Sequence, residues 1–209
     1  MNSREFVFGV DLDGVVADFI RGMKPIAAQW LGVDPQTLTD QVSYGFQEWK
    51  LGGAKGYNDL HRHAVKEKAL FATLPLIEGA APALRRLSRR GVRIRIITHR
   101  LYIEWFHRQA VSQTIEWLEH HGIPYWDLCF MARKSSVDAD VYVEDSPANI
   151  KALRAARKEV IVLRNSTNGE VAAPAAHNWA EVERWVVEKH TQWKRQARSA
   201  TGSVRRSKR

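Results

Sequence analysis

Short apolar runs alternate with helical sequence along most of this chain of 209 residues. Each run is too brief for a helix and is rich in strand-forming residues, so each predicts a buried strand. The four runs cover residues 6–10, 92–97, 141–143 and 160–163. Strands that alternate with helices are typical of βαβ units, which build a parallel sheet with helices on both faces. The sequence therefore predicts an α/β fold.

Helical patterns separate these strands, and one long segment interrupts the alternation. The patterns cover residues 80–90, 102–121, 147–158 and 179 to about 193, and Gly91 and Gly122 are typical helix stops. Residues 19–77 contain helical patterns at 19–31 and 58–71 but no convincing strand. We therefore predict a core domain of residues 1–18 and 78–193, with a small helical domain of residues 19–77 inserted after the first strand.

The composition is that of an ordinary globular protein, with 44% hydrophobic and 26% charged residues. No stretch of about 18 apolar residues is present that could span a membrane. The beginning of the sequence does not have the pattern of a signal peptide, so we expect a cytoplasmic protein. The single cysteine, Cys129, excludes an intramolecular disulfide and a thiolate-rich zinc site.

The net charge of +9 is concentrated at the carboxyl end of the chain. Residues 194–209 contain seven basic and no acidic residues, so the rest of the chain carries only 9 − 7 = +2. A polar, basic segment of this kind is expected to be a disordered tail. It is either a solvated extension or a segment that binds nucleic acid through phosphate contacts.

Polar residues of particular kinds follow the predicted strands. Asp11 and Asp13 follow the first strand, Thr98 ends the second, and Glu144 and Asp145 end the third. Lys134 lies in the loop before that third strand. In an open parallel sheet the carboxyl ends of the strands meet at one edge, so these side chains are expected to converge there.

Such a set of residues is suited to phosphoryl chemistry. Converging carboxylates repel each other unless a cation lies among them, and a set of oxygen ligands favours Mg²⁺. A divalent cation beside a lysine and a threonine hydroxyl can neutralise and hold a phosphoryl group. One aspartate can attack the phosphorus, and a second can protonate the leaving oxygen and later activate water.

The order of these motifs resembles the haloacid dehalogenase superfamily of phosphohydrolases. Residues 11–15 (DLDGV) resemble its first motif, residues 96–98 (IIT) its second, Lys134 its third and residues 141–145 (VYVED) its fourth. The resemblance implies a three-layer, Rossmann-like sheet in which the helical insertion is a cap. It also implies that Asp11 is the nucleophile, that Asp13 is the general acid and base, and that Thr98 and Lys134 bind the phosphoryl group. Mg²⁺ would be held by Asp11, the Asp13 carbonyl and Asp145, with Glu144 just outside the coordination sphere.

A finer resemblance is to the 5′(3′)-deoxyribonucleotidases, also called the 5′-nucleotidase type C family, carried by residues 11–19 (DLDGVVADF) and 71–80. It implies hydrolysis of (deoxy)nucleoside 5′-monophosphates. It also implies that Phe19 and cap aromatics stack on the base, and Phe46 and Trp49 are the candidates in the cap. Gln47 departs from this pattern, because the family usually has tryptophan at that position.

Several alternatives remain open at this stage. The substrate could instead be a sugar phosphate or the phosphorylated end of a nucleic acid, and a homodimer is compatible with the family. A non-catalytic nucleic-acid-binding protein is a further alternative, which the intact Asp11 and Asp13 disfavour. Arg100 is interpreted either as a phosphate ligand or as a solvated loop residue, and His61 is expected on the surface of a cap helix.

Overall fold

The fold comes from a computed structural model, which describes residues 4–101, 106–172 and 174–206. Between residues 19 and 77 the named elements are helices, and in the rest of the described chain strands alternate with helices. In chain order the elements are β1 (Val7–Val10), α1 (Phe19–Leu31), α2 (Gly53–Lys68), α3 (Leu70–Thr73), α4 (Ala80–Arg89), β2 (Arg93–Thr98), α5 (His107–His120), β3 (Asp127–Phe130), β4 (Val141–Glu144), α6 (Pro147–Ala155), β5 (Val160–Leu163), β6 (Ala175–Ala176) and α7 (Trp179–Arg206).

The strands in the described part of the chain form one parallel sheet of six strands, in the order β3-β2-β1-β4-β5-β6. Val10 of β1 pairs with Ile96 of β2 on one side and with Val143 of β4 on the other. All three side chains are buried, because helices cover both faces of the sheet. Strands covered on both faces are continuous apolar runs in the sequence. The predicted α/β class with a helical cap is confirmed.

The direction in which the sheet grows reverses at β1. From β1 the chain adds β2 and then β3 on one side, and it returns to add β4, β5 and β6 on the other. In an open parallel sheet this reversal opens a crevice beyond the carboxyl ends of the two central strands. The fold therefore brings the residues that follow β1 and β4 to the same crevice.

Two neighbouring chain segments connect the cap to the core. The Asp18 amide donates to the Pro75 carbonyl and the Ile77 amide donates to the Val16 carbonyl, each at 2.8 Å. The entering and leaving segments therefore pair side by side as a narrow antiparallel connection. Helix α1 packs against α2 and α3 to form the cap.

Helix α5 of the core holds the cap through buried side chains. The Gln113 amide donates to the Val65 carbonyl at 2.8 Å and accepts from the Phe71 amide at 3.2 Å. The Trp117 indole donates to the Leu74 carbonyl at 2.7 Å. These bonds satisfy backbone groups at the end of α2 and in α3, where an unpaired buried group would be costly.

Several predicted boundaries differ from the structure. Strands β3 and β6 were not predicted, because β3 is half-buried with a charged first residue and β6 has only two residues. The helix predicted over 58–71 begins earlier, at Gly53, and is divided at Ala69, whose φ is 48°. The start predicted for α5, residue 102, lies outside the described residues.

The last helix extends beyond its predicted end near Trp193. The backbone of α7 stays helical through Arg206, so the described part of the basic segment continues the helix rather than leaving it at Lys194. Lys194 itself donates to the Arg90 carbonyl beside the end of α4, at 3.5 Å. Residues 194–201 contain neither proline nor glycine, and glutamine, alanine and arginine favour helix. None of the helices in the described ranges has the length and apolar character needed to cross a bilayer.

The indole bond of Trp117 gives a test of the attachment between core and cap. Trp117→Phe leaves the buried Leu74 carbonyl without its donor, and we expect the free energy of unfolding to fall by about 1–3 kcal/mol. Trp126→Phe is the matched control, because Trp126 is 67% exposed and its replacement should change stability by no more than about 0.5 kcal/mol. Urea unfolding measures both, and equal losses would contradict the proposed attachment.

Candidate active site

A buried lysine joins two carboxylates at the centre of the crevice. The Lys134 ammonium lies 2.6 Å from Asp11 Oδ2 and 2.8 Å from Glu144 Oε2. Asp11 directly follows β1, and Glu144 is the last residue of β4, the strand beside it. Lys134 lies in a short 3₁₀ turn before β4. Parallel pairing of β1 and β4 therefore brings the two carboxylates to one ammonium.

Burial and charge set the protonation of this cluster. Burial raises the pKa of Asp11 well above its ordinary value, and the nearby Glu144 adds to this rise while Lys134 opposes it. Burial alone would lower the pKa of Lys134, but Asp11 and Glu144 outweigh burial and raise it. Lys134 therefore remains an ammonium group at neutral pH, where it can attract an anionic phosphoryl group.

Asp145 adds a third carboxylate to the crevice. Burial, together with repulsion from Asp11, raises the pKa of Asp145 to about 7, although a hydrogen bond from Asn165 acts in the opposite direction. That bond runs from the Asn165 side-chain amide to Asp145 Oδ2 and is 2.7 Å long. The Asn168 side-chain amide also donates to the Asp145 carbonyl, at 2.8 Å. The loop after β5 therefore orients both the side chain and the backbone of Asp145.

The carboxylates have the composition expected for a hard divalent cation. Asp11, Glu144 and Asp145 each offer one oxygen, and these oxygens lie within 4.8 Å of one another. Glu144 already accepts from Lys134 and, through Oε1, from the amides of Asp145 and Ser146. The oxygen-only donor set fits Mg²⁺ chemistry.

Asp13 lines the cavity described below, whereas Thr98 is not among the described residues that line it. The Asp13 side chain is 26% exposed, faces the cavity and is paired with Arg100. Thr98 ends β2 and is almost fully buried, and its hydroxyl has no hydrogen-bond partner among the described residues. A buried hydroxyl without a partner is costly, and it can be satisfied by an incoming polar group.

A cavity of about 360 Å³ leads from the carboxylates into the cap. Its polar end is lined by Asp11, Asp13, Lys134 and Asp145, and its cap end is mainly aromatic, with Phe19, Tyr44, Phe46, Tyr57 and Phe71. The structure thus brings Phe19 and Phe46 to the cavity, and their role in binding the base stays a prediction. Trp49 does not line it within the described part of the chain: it packs 4.5 Å from the Phe46 ring and donates to the Thr39 carbonyl. Trp49 therefore packs against Phe46 without itself lining the cavity.

Sequence reasoning missed other residues of the cavity. His61 was expected on the cap surface, but it is buried, lines the cavity and contacts Phe19 and Phe71 edge-on. Burial lowers the pKa of His61 to about 4, so the imidazole is neutral. Its spacing of four residues from Tyr57 and Val65 is a weak signal of one helix face. Asn165 had no such signal, because its partner Asp145 is distant in sequence.

Close packing at Gly14 provides a test of the site geometry. Gly14 has a φ of +79°, and a Cβ atom there would lie 1.9 Å from Asp145 Oδ2. Gly14→Ala should therefore displace Asp145 in addition to straining the backbone. Gly32 is the matched control, because it has a φ of +68° and nothing within 4 Å of the Cβ position.

We expect Gly32→Ala to lower the free energy of unfolding by about 1–2 kcal/mol through backbone strain alone. Gly14→Ala should lose at least about 1 kcal/mol more, because overpacking adds to that strain. Urea unfolding of the metal-free proteins measures the difference. Similar losses for the two variants would show that Gly14 does not pack against Asp145 as described.

The raised pKa of Asp145 predicts a pH-dependent stability in EDTA. The folded carboxyl keeps its proton up to about pH 7, whereas the unfolded carboxyl releases it near 3.8. The folded state therefore binds more protons between these values, and this group destabilises the protein as pH rises from about 4 to 7. Asp145→Asn removes the effect, so its stability relative to wild type should increase over that range and level off above it.

Asp138→Asn is the control for this experiment, with the opposite sign. A hydrogen bond from Lys158 lowers the pKa of Asp138, so its stabilising effect is present above the unfolded value and is lost in acid. The stability of Asp138→Asn relative to wild type should therefore fall as pH rises through about 3.8 and stay nearly constant above about pH 5. Thermal unfolding from pH 4 to 8 measures both variants, and a pH-independent difference for Asp145→Asn would contradict the assignment.

Comparison with known proteins agrees with this geometry. Residues 5–192 match the family described as "5′ nucleotidase, deoxy (Pyrimidine), cytosolic type C protein". The chain is also 47% identical over 182 residues to a protein of Chlorobaculum tepidum named "Putative 5′(3′)-deoxyribonucleotidase". That alignment covers 87% of this chain and 90% of the relative.

Solved structures share the fold at low sequence identity. A haloacid dehalogenase-like hydrolase from Streptococcus pneumoniae aligns with a TM-score of 0.55 and 13% identity, covering 87% of this chain and 98% of that one. CbbY from Rhodobacter sphaeroides, solved in complex with phosphate, aligns with a TM-score of 0.52 and 20% identity, covering 86% and 96%. These similarities confirm the predicted haloacid dehalogenase-like fold. The chain is a phosphomonoester hydrolase with a haloacid dehalogenase-like fold, and it belongs to the cytosolic type C 5′-nucleotidase family.

Proposed function

We propose that this enzyme hydrolyses (deoxy)nucleoside 5′-monophosphates through a phosphorylated Asp11, with Mg²⁺ as cofactor. The observation that carries the proposal is the cavity itself, which joins a buried carboxylate–lysine cluster to an aromatic wall in the cap. A phosphate group matches the first part and a planar base matches the second. The names of the matched family and of the 47% identical relative support the same substrate class.

The reaction uses two aspartates in two steps. An Asp11 oxygen attacks phosphorus, the bond from phosphorus to the ester oxygen breaks, and Asp13 donates a proton to the leaving nucleoside oxygen. Water then attacks the aspartyl phosphate while Asp13 takes a proton from it. Inorganic phosphate leaves and the Asp11 carboxylate is restored. Asp13 is suited to both proton transfers because its carboxyl faces the cavity two residues beyond the nucleophile.

Lys134 and Thr98 are proposed to hold the phosphoryl group. Lys134 lies against Asp11 and is held in place by Glu144, so its charge is fixed beside the point of attack. The buried Thr98 hydroxyl, which lacks a hydrogen-bond partner in the described part of the chain, would gain one from a phosphoryl oxygen. Fixed donors of this kind stabilise charge that develops in the transition state.

Asp11, Asp145 and the Asp13 carbonyl are proposed to hold Mg²⁺. The cation, when bound, neutralises charge on the phosphoryl oxygens. Glu144 would remain outside the coordination sphere, because both of its oxygens already accept hydrogen bonds from Lys134 and from backbone amides. Its role is then to hold Lys134 and the start of the loop after β4 in place.

The cap favours a nucleotide over a sugar phosphate. Phe19 and Phe46 present rings whose centroids are 6.0 Å apart, and Tyr57 lies edge-on to Phe46 at 5.6 Å. Aromatic faces bind a planar base by stacking, whereas a sugar needs many hydrogen-bonding groups. The substrate-binding role is therefore proposed for Phe19 and Phe46, with Trp49 as the support of Phe46.

Phosphate release from a panel of substrates tests the proposed function. The panel contains ribo- and deoxyribonucleoside 5′-monophosphates, sugar phosphates and a 5′-phosphorylated oligonucleotide, each with Mg²⁺ and with EDTA. We expect turnover of the mononucleotides that requires Mg²⁺, and a loss of at least about 10³-fold in Asp11→Asn, because the nucleophile is gone.

Asp138→Asn is the matched control, since that side chain is 80% exposed and lies outside the cavity lining. It should keep wild-type activity. Persistent turnover in a purified Asp11→Asn variant would overturn the mechanism. Turnover only on sugar phosphates or on the oligonucleotide would retain the phosphatase chemistry and reject the nucleotide substrate.

A further inference from the structure

Arg100, whose side chain is buried, makes a two-pronged ion pair with the partly exposed Asp13. The guanidinium donates from Nη2 to Asp13 Oδ1 at 2.7 Å and from Nε to Oδ2 at 3.0 Å. The Arg100 side chain is 0% exposed, and both residues line the cavity. Neither the phosphate contact nor the solvated loop position considered for Arg100 from the sequence describes this arrangement.

Two further contacts hold the guanidinium from other directions. Arg100 Nη1 donates to the Thr114 hydroxyl at 3.1 Å, and that hydroxyl donates in turn to the Ala110 carbonyl one turn earlier in α5. The guanidinium carbon also lies 4.3 Å from the centre of the Phe71 ring, in helix α3 of the cap. Arg100 is therefore held by a core helix and by the cap while it binds Asp13.

Packing alone does not account for an arginine at this position. A fully buried guanidinium carries a large desolvation cost, and well-packed apolar residues generally stabilise a core at least as well. The feature that an apolar residue lacks is the planar fork, which binds both oxygens of a carboxylate and defines the plane in which that carboxylate lies. Asp13 needs such a constraint, because its side chain projects into an open cavity.

We propose that Arg100 is a positioning residue that orients the Asp13 carboxyl toward the leaving oxygen of the substrate. This inference rests on the proposed function, in which Asp13 transfers the proton. Because the guanidinium contacts Phe71, the orientation of the Asp13 carboxyl depends on the position of the cap relative to the core. Asp13 is then aligned when the cap covers the cavity. Arg100 does not touch the phosphoryl group in this proposal.

The proposal predicts a dependence on the leaving group. A nucleoside 5′-oxygen is a poor leaving group and needs a proton from Asp13, whereas p-nitrophenolate leaves with little assistance. Misplacing Asp13 should therefore reduce kcat/KM, which reports the first step, strongly for a deoxynucleoside 5′-monophosphate and weakly for p-nitrophenyl phosphate. The second step, hydrolysis of the aspartyl phosphate, is common to both substrates and does not enter kcat/KM. A purely structural defect would reduce kcat/KM alike for both.

The experiment compares wild type with Arg100→Lys, which keeps the charge but loses the fork. We expect kcat/KM to fall about 100-fold on the nucleotide and less than about 10-fold on p-nitrophenyl phosphate. Thr114→Val removes only one anchor of the guanidinium and should show a smaller loss with the same preference, which provides a test should Arg100→Lys fail to fold. Arg89→Lys, at an exposed position of α4, is the matched control and should behave as wild type.

The outcomes separate this inference from the function on which it rests. Equal losses of kcat/KM on both substrates would overturn the positioning role. If those losses came from a rise in KM with unchanged kcat, they would instead identify Arg100 as a phosphate ligand. In both cases wild-type activity on nucleotides leaves the proposed function standing. Absence of wild-type turnover on every nucleotide would reject the proposed function itself.

Discussion

The contact between Lys134, Asp11 and Glu144 is the interaction on which the site depends. Two carboxylates buried side by side would be strongly destabilising, and the ammonium between them offsets much of that cost. The arrangement requires β1 and β4 to be adjacent and parallel, so that Asp11 and Glu144 end at one level. The candidate site therefore depends on the order of the strands in the sheet. A different strand beside β1 in place of β4 would leave Asp11 without its contact to Lys134.

The cap places apolar side chains across the cavity from the carboxylate–lysine cluster. Its two connecting segments pair with each other, and Gln113 and Trp117 of the core hold the segment by which the chain leaves it. Aromatic side chains thereby line the same cavity as the carboxylates and make its cap end apolar. Charge interactions strengthen in such surroundings, which benefits both the ion pairs of the resting site and a bound phosphoryl group. Arg100 lies between the cap and the core, in contact with Phe71 of the cap and with Asp13 of the core.

Local sequence patterns were sufficient to predict the bounds of a helix or the end of a strand where these depend on nearby residues alone. Helix α1 has the predicted bounds, because Asp18 caps its first turn and Gly32 adopts the left-handed conformation at its end. The tips of β1, β2 and β4 were identified because strands buried on both faces are continuous apolar runs that end abruptly in polar residues. Strand β3 escaped detection because it is half-buried and begins with Asp127, which pairs with Arg93 and Arg95.

Residue types and their order along the chain were thus enough to identify the α/β class and the family, and they predict the set Asp11, Asp13, Thr98, Lys134 and Asp145 as the site. The contacts that Arg100, Asn165 and His61 make in the cavity were revealed only by the folded chain. Arg100 and Asp13 are 87 positions apart, and no periodic pattern encodes a contact at that separation. His61 faces the cavity because of how α2 is rotated against α1 and α5, which depends on packing between helices. The spacing of residues along a helix predicts which side chains share one face. Only the packing between helices decides whether that face contacts the core, the cavity or solvent.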